Sequence, residues 1–310
     1  MTSNAESLIP EQTDIYEDPP FGDRMRSLSL SSLRTLRSNP NLLIGSTIIT
    51  IMVLIALLTF LPTHSIVTPH DPQELSLRER VDPPSSTHWF GTDALGRDVY
   101  SRTMHGSKTS LYVGAAVAIL VTIIGVTLGV LVGYNRVADN IVMRFMDGMM
   151  SFPTLILALA LVATLGSSLT NVIIIITIVD TPGMTRVVRA VVLSLRERTY
   201  VDAARASGAS TKRILFFHIA PNTLAPVIIT ASIYFGGAIL TEAALGFLGV
   251  GTPEFIPTWG NIISSGRAYI RIGFWIAFFP GIFLALTVFA TNLVGDGLRD
   301  VLDPRLRGQE

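Results

Sequence analysis

Tyr200-Val-Asp-Ala-Ala-Arg-Ala-Ser-Gly208, continuing through His218 to Pro221, is a polar island between two long apolar stretches of a 310-residue chain. A charged, small-residue helix flanked by membrane helices is poorly suited to packing in lipid and well suited to docking on a soluble partner. Val201 to Ala206 is helix-forming, and Gly208 supplies the left-handed position that ends a helix. Ser210 is placed to cap a second helix, Thr211 to Ile219, which is expected to stop before Pro221. Ala203, Ala204 and Ala206 leave a low ridge that a partner's groove can approach closely, while Arg205, Lys212 and Arg213 keep that ridge out of lipid.

Outward from the island the chain is apolar. Hydrophobic residues make up 49% and charged residues 15%, and the mean hydropathy is +0.52. That is too apolar for a soluble domain of this length. Crossing ~30 Å of hydrocarbon takes about 20 helical residues. Uncharged runs predict spans at Leu42–Leu61, Ser110–Tyr134, Met149–Gly166, Leu169 to about Val192 with a break at Pro182-Gly183, Thr223–Gly249 and Gly273–Val294. The fold class is therefore an all-α integral membrane protein with six transmembrane helices. Its layout is a tail at 1–41, a first span at 42–61, an outer segment at 62–109, a five-helix core at 110–294 carrying the loop 196–221, and a tail at 295–310. Pro69, Pro72, Pro83 and Pro84 make the early outer segment extended. Leu95 and Val99 share a helix face, which predicts a short amphipathic helix at the outer interface. Gly125, Gly129 and Gly133 form a ladder suited to close helix packing.

Charge sets an orientation. With the N-terminus inside, sixteen of the 23 Lys and Arg fall on inner segments and seven on outer ones, the sign expected of cytoplasmic loops. The same orientation puts Trp89, Trp259 and Trp275 at the outer interface, where indoles settle. Both termini are then cytoplasmic. There is no cysteine, hence no disulfide and no thiolate metal site. The opening acidic stretch (Glu6, Glu11, Asp14, Glu17, Asp18) argues against a removable signal peptide. Leu28, Leu30, Leu33 and Leu36 with Arg34 and Arg37 fit either a helix on the inner surface or a flexible tail.

Asp202-Ala203-Ala204-(x3)-Gly208 and Ile219-Ala220-Pro221 resemble the loop by which inner-membrane permeases of ABC importers dock on their ATPase subunit, with Asp where that family more often has Glu. Phe90-Gly-Thr-Asp-x-x-Gly-Arg-Asp98-Val-x-Ser-Arg102 is similar to a motif of dipeptide, oligopeptide and nickel permeases, as are Ala243–Gly249, Pro257–Gly260 and Gly295–Arg305. The likeness is nearest to the C-type permease of the dipeptide system and covers roughly residues 88–308. The resemblance implies the type I ABC importer permease fold in a bacterial inner membrane. It implies a second permease subunit as heterodimer partner, two ATP-binding cassette ATPases and an extracytoplasmic solute-binding protein. ATPase coupling would fall to Asp202, Ala203, Ala204, Gly208, Ile219 and Pro221. Thr181-Pro-Gly-Met184 departs from relatives that carry aromatics at its ends.

The chain's own chemistry is sparse. A phosphate loop needs Gly-x-x-x-x-Gly-Lys-Ser/Thr, and Gly106-Ser-Lys108-Thr lacks both the spacing and the first glycine. No enzyme site, cofactor or nucleic-acid partner is expected. Ionisable residues inside spans are costly and face a cavity or a partner. Asp180, near mid-membrane, either pairs with Arg186 or Arg189 or lines a path for a substrate bearing a charged amine. Glu242, near the outer face, is either a water-exposed gate or half of an interfacial salt bridge. His218 fits a helix-end histidine near backbone carbonyls. His64, His70, His88 and His105 show no metal-ligand spacing. Asp296, Arg299, Asp300, Asp303 and Arg305 form a terminal cluster that is either self-paired or in contact with the partner permease. The rivals are a permease of the same type for nickel, glutathione or another small solute, an ion-coupled secondary carrier, and a purely structural subunit.

Overall fold

The computed structural model describes residues 39–60 and 68–302. The stretch from Leu28 to Leu36, His64, Asp303 and Arg305 lie outside the described residues. Asn39 opens the first helix by accepting from the Asn41 and Leu42 amides (3.0 and 3.2 Å), with Pro40 in the first turn, where its missing N–H costs nothing. Helix α1, Pro40–Leu58, is apolar all round, and Ile44 and Leu54 are each 52% exposed. A helix without a polar face buries that surface in lipid or protein. The Asp300 carboxylate accepts from the Asn39 side chain (3.1 Å) and so ties the chain's last described helix to the cap of its first. Asp300 is thus neither purely self-paired nor held for a partner alone.

Helix α2 runs unbroken from Val99 to Tyr134, 36 residues, started by the Asp98 carboxylate accepting from the Ser101 amide at 2.7 Å. The expected separate amphipathic helix is absent. Residues 89–98 form turns closed by a Thr92–Asp98 bridge, and Val99 already belongs to the membrane helix. Asn135 caps α3, Arg136–Met150, through bonds to Val137 and Ala138. The chain then bends by 93° into α4, Thr154–Leu165. The third span, expected as one run from Met149 to Gly166, is instead a 12-residue helix that Pro153 separates from its predecessor. Pro153 biases the residue before it away from helical backbone.

Helix α5, Leu169–Leu195, passes through Pro182 without the expected break. Proline removes one backbone donor, the one that would reach the Ile178 carbonyl, and membrane helices tolerate this when neighbouring groups pack around it. Here Thr181 and Thr185 donate to the carbonyls of Thr177 and Thr181 at 2.6 and 2.9 Å. The glycine ladder of α2 lies along α5: Gly125 meets Met184, Gly129 meets Val188, and Gly133 meets Val192. A short helix α6, Thr199–Ala206, leads to a turn and an irregular helical stretch that continues as α7, Leu224–Phe247. Helix α8, Trp259–Gly266, opens with a reciprocal Thr258–Asn261 capping box, and α9 is Trp275–Leu302. Five helices are long and apolar enough to cross a bilayer, and the bent α3–α4 pair makes a sixth when counted as one span. The chain is a multi-pass membrane protein.

Candidate functional site

The polar island folds as a short helix and a turn with two unlike faces. On α6, Asp202, Ala203 and Ala206 are exposed, Ala204 is half-buried and Val201 is fully buried. Asp202 and Arg205 pair one turn apart at 3.0 Å on the outer side. Gly208 takes φ +80°, as expected, and no atom lies within 4 Å of where a Cβ would be. Only the backbone conformation demands glycine there. Ser210 then caps the next turn by accepting from the Arg213 amide, also as expected.

Beyond that turn the expectation fails. Thr211–Arg213 is α-helical, Ile214–Ile219 is a π-helix, and Ala220–Thr223 is a tighter turn that runs straight into α7. Pro221 therefore does not stop the helix. The wider π turns relax the ladder ahead of the ring, and the Asn222 side chain bonds the His218 carbonyl at 2.7 Å. The Tyr200 hydroxyl reaches the same carbonyl at 3.5 Å, so His218 is part of a continuing helix and not at a helix end. Ile219 is fully buried, as is Ile214, and both join Val201 in the main core. Of the six residues implied in coupling, Asp202, Ala203 and Gly208 form an outward surface. Ala204 and Pro221 are half-buried, and Ile219 is fully buried.

The intramembrane carboxylates do not adopt the pairings expected of them. Arg186 bonds Asp147 at 2.6 Å, and Arg189 holds Asp139 through two bonds of 2.5 and 2.7 Å. Both arginines tie the C-terminal half of α5 to α3 and are thereby taken up by partners other than Asp180. Asp180 is half-buried, one turn before Gly183, against which the Tyr234 hydroxyl of α7 is packed. Glu242 has no exposure at all. It accepts from the Thr252 hydroxyl at 3.3 Å, with Thr258 and Ser110 alongside. It is neither a water-exposed gate nor a salt-bridge partner, because hydroxyls from α2 and from the 250–258 segment enclose it.

The outer segments are bound to the helix ends. Arg102 is fully buried and donates to the carbonyls of Pro72 and Glu254 (3.2 and 3.4 Å), while Arg97 pairs with buried Asp93 at 2.7 Å. Trp259 and Trp275 are buried within the chain, and their indole N–H groups bond the carbonyls of Thr103 and Thr92. Trp89 alone of the three indoles is substantially exposed, at 47%.

Residues 122–308 match the family described as binding-protein-dependent transport system inner membrane component. The chain belongs to this family. It is 42% identical to a dipeptide transport system permease protein of Alkalihalophilus pseudofirmus over 97% of this chain and 99% of that one. It is 44% identical to a di/tripeptide transport system permease protein of Pseudomonas aeruginosa, covering 78% and 82%. An oligopeptide transport system permease protein of Bacillus subtilis is 39% identical, covering 91% and 92%. The protein is thus a membrane permease component and has the type I ABC importer permease fold.

In this permease two sets of residues escaped the sequence reading. Asp139 and Asp147 sit among inner-facing residues with nothing local to mark them as partners of α5. Phe216 and Phe217 stand 71% and 74% exposed beside a groove lined by Lys212, Arg213 and His218. The adjacent aromatic pair within a basic helix was the available signal.

Proposed function

We propose that this chain is the translocating permease subunit of an ATP-driven importer of di- and oligopeptides in a bacterial plasma membrane. Both termini face the cytoplasm, as the excess of Lys and Arg on inner segments supports. Asp202 and Ala203 present the ridge that seats in a cleft of an ATPase subunit. Val201, Ile214 and Ile219 pass its displacement to the core. The exposed small-residue ridge over a fully buried base, at the junction of two spans, carries this reading. Two ATPase chains, a second, distinct permease and a solute-binding protein at the 68–98 and 250–272 face complete the machine. Peptide as cargo rests on the relatives' names and near-complete overlap.

Because the chain has no cysteine, Ala203→Cys offers a single thiol. A short thiol-anchored photocrosslinker there is expected to capture the co-expressed ATPase, with a yield that changes on adding ATP. The same reagent at buried Val201→Cys is expected to capture nothing. Equal capture at both positions, or none at Ala203→Cys, contradicts docking through this ridge.

Asp180 and Tyr234 line the path and meet the charged amine of the peptide. Two unit charges 4 Å apart attract by about 4 kcal/mol at an effective dielectric of about 20. Asp180→Asn is therefore expected to lower peptide uptake by more than about tenfold, the equivalent of 1.4 kcal/mol. Membrane levels of the protein should be unchanged, since no ion pair is lost. Normal uptake by Asp180→Asn removes this carboxylate from the path.

A further inference from the structure

The outer segment brings together side chains that are far apart in sequence. His70 and His88 stack with ring centroids 4.6 Å apart and planes tilted by 34°. One donor atom from each of His70, His88 and Asp98 lies within 4.8 Å of the other two. His88 Nδ1 is 2.9 Å from Asp98 Oδ1, and Asp98 is itself buried and fixed by its bond from the Ser101 amide.

We propose that His70, His88 and Asp98 form a binding site for a first-row divalent transition metal such as Zn2+. Two imidazoles and one carboxylate are a donor set suited to such ions, and three protein ligands leave a fourth position open. The surroundings supply what metal-bound imidazoles need on their other nitrogen, an acceptor that fixes the ring and its tautomer. His70 Nε2 lies 3.0 Å from the Thr87 carbonyl, which only accepts, so Nδ1 keeps its lone pair for a metal. The Glu79 carboxylate stands 3.7 Å from His88 Nε2. Metal entering between His88 and Asp98 requires the neutral His88 ring to carry its proton on Nε2, facing the Glu79 carboxylate, so that Nδ1 offers its lone pair. Metal–ligand distances of about 2.0–2.2 Å require the three donors to close slightly from their present spacing.

The site joins the residue-70 arm, the loop before Trp89 and the first turn of α2, so metal bound there braces the outer segment. This is independent of which solute the permease carries. The test uses the full-length protein, purified without a histidine tag and reconstituted in lipid nanodiscs. Calorimetric titration with Zn2+ is expected to show one site of micromolar or tighter affinity. His70→Gln should weaken it at least about tenfold, the kind of loss typical of a disrupted metal shell. His105→Gln, on α2 outside the set, should bind as the unmodified protein does. Should His70→Gln fail to fold, Co2+ bound to unmodified protein supplies an independent readout. Intense visible bands characteristic of a low-coordinate nitrogen–oxygen site are expected. Absence of Zn2+ binding by the unmodified protein, equal affinity in His70→Gln, or only the pale spectrum of hydrated Co2+ overturns the proposal.

Discussion

Ala203→Trp is expected to abolish ATP-dependent uptake while the protein remains in the membrane at its normal level. Ala203 is exposed on α6, so a large side chain there meets nothing within its own chain. Any cost falls on the docked partner. Forcing extra bulk into a well-packed contact costs about 1–3 kcal/mol, which is roughly five- to 150-fold in docking affinity. Gly208→Pro tests the same lever from the backbone side. Proline holds φ near −65°, whereas Gly208 sits at +80° and its amide bonds the Arg205 carbonyl at 3.0 Å. The turn must rebuild, and the ridge loses its angle to the seat. Uptake measured beside membrane protein level checks both variants. Normal uptake by either contradicts the lever.

Gly129→Leu is expected to act elsewhere in the causal chain, removing the folded protein from the membrane altogether. A Cβ at Gly129 would come within 2.5 Å of the Val188 Cβ and 2.9 Å of the Thr185 carbonyl oxygen. Both belong to α5, so α2 and α5 must separate along the whole Gly125–Gly133 seam. A full isobutyl group exceeds the usual overpacking range of about 1–3 kcal/mol, a large share of a domain stability of about 5–15 kcal/mol. Gly237→Leu is the matching control, since no atom lies within 4 Å of a Cβ there. Detergent-solubilised yield and monodispersity check the pair. Equal behaviour of the two variants means the seam does not hold the helices together.

The architecture was legible because its signals are local. Long uncharged runs marked the spans, the glycine ladder marked the α2–α5 seam, and Gly208 and Ser210 marked the turn of the lever. What sequence reading missed depends on partners far along the chain. Pro182 and Pro221 look like breaks in the sequence, yet α5 continues through the first and a π-helical stretch leads past the second. Trp259 and Trp275 gave no sign in the sequence of being packed inside the chain, where Thr103 and Thr92 accept from them. Asp180 lost its expected arginines because Asp139 and Asp147, on another helix, hold them first. Glu242 reads as a gate until Ser110 of α2 and Thr252 and Thr258 of the 250–258 segment are seen around it. The 202–221 motif was recognisable as a string, but its division into an exposed face and a buried base needed the packing of Ile219.

The most direct test is uptake of labelled dipeptide, pentapeptide and nickel in cells with and without this chain, with the deletion complemented from a plasmid. The account predicts that uptake of at least one peptide disappears on deletion, returns with the unmodified gene, and does not return with Ala203→Trp. Peptide uptake that persists without the chain while nickel uptake is lost contradicts the cargo assignment. Full restoration by Ala203→Trp contradicts the coupling mechanism itself.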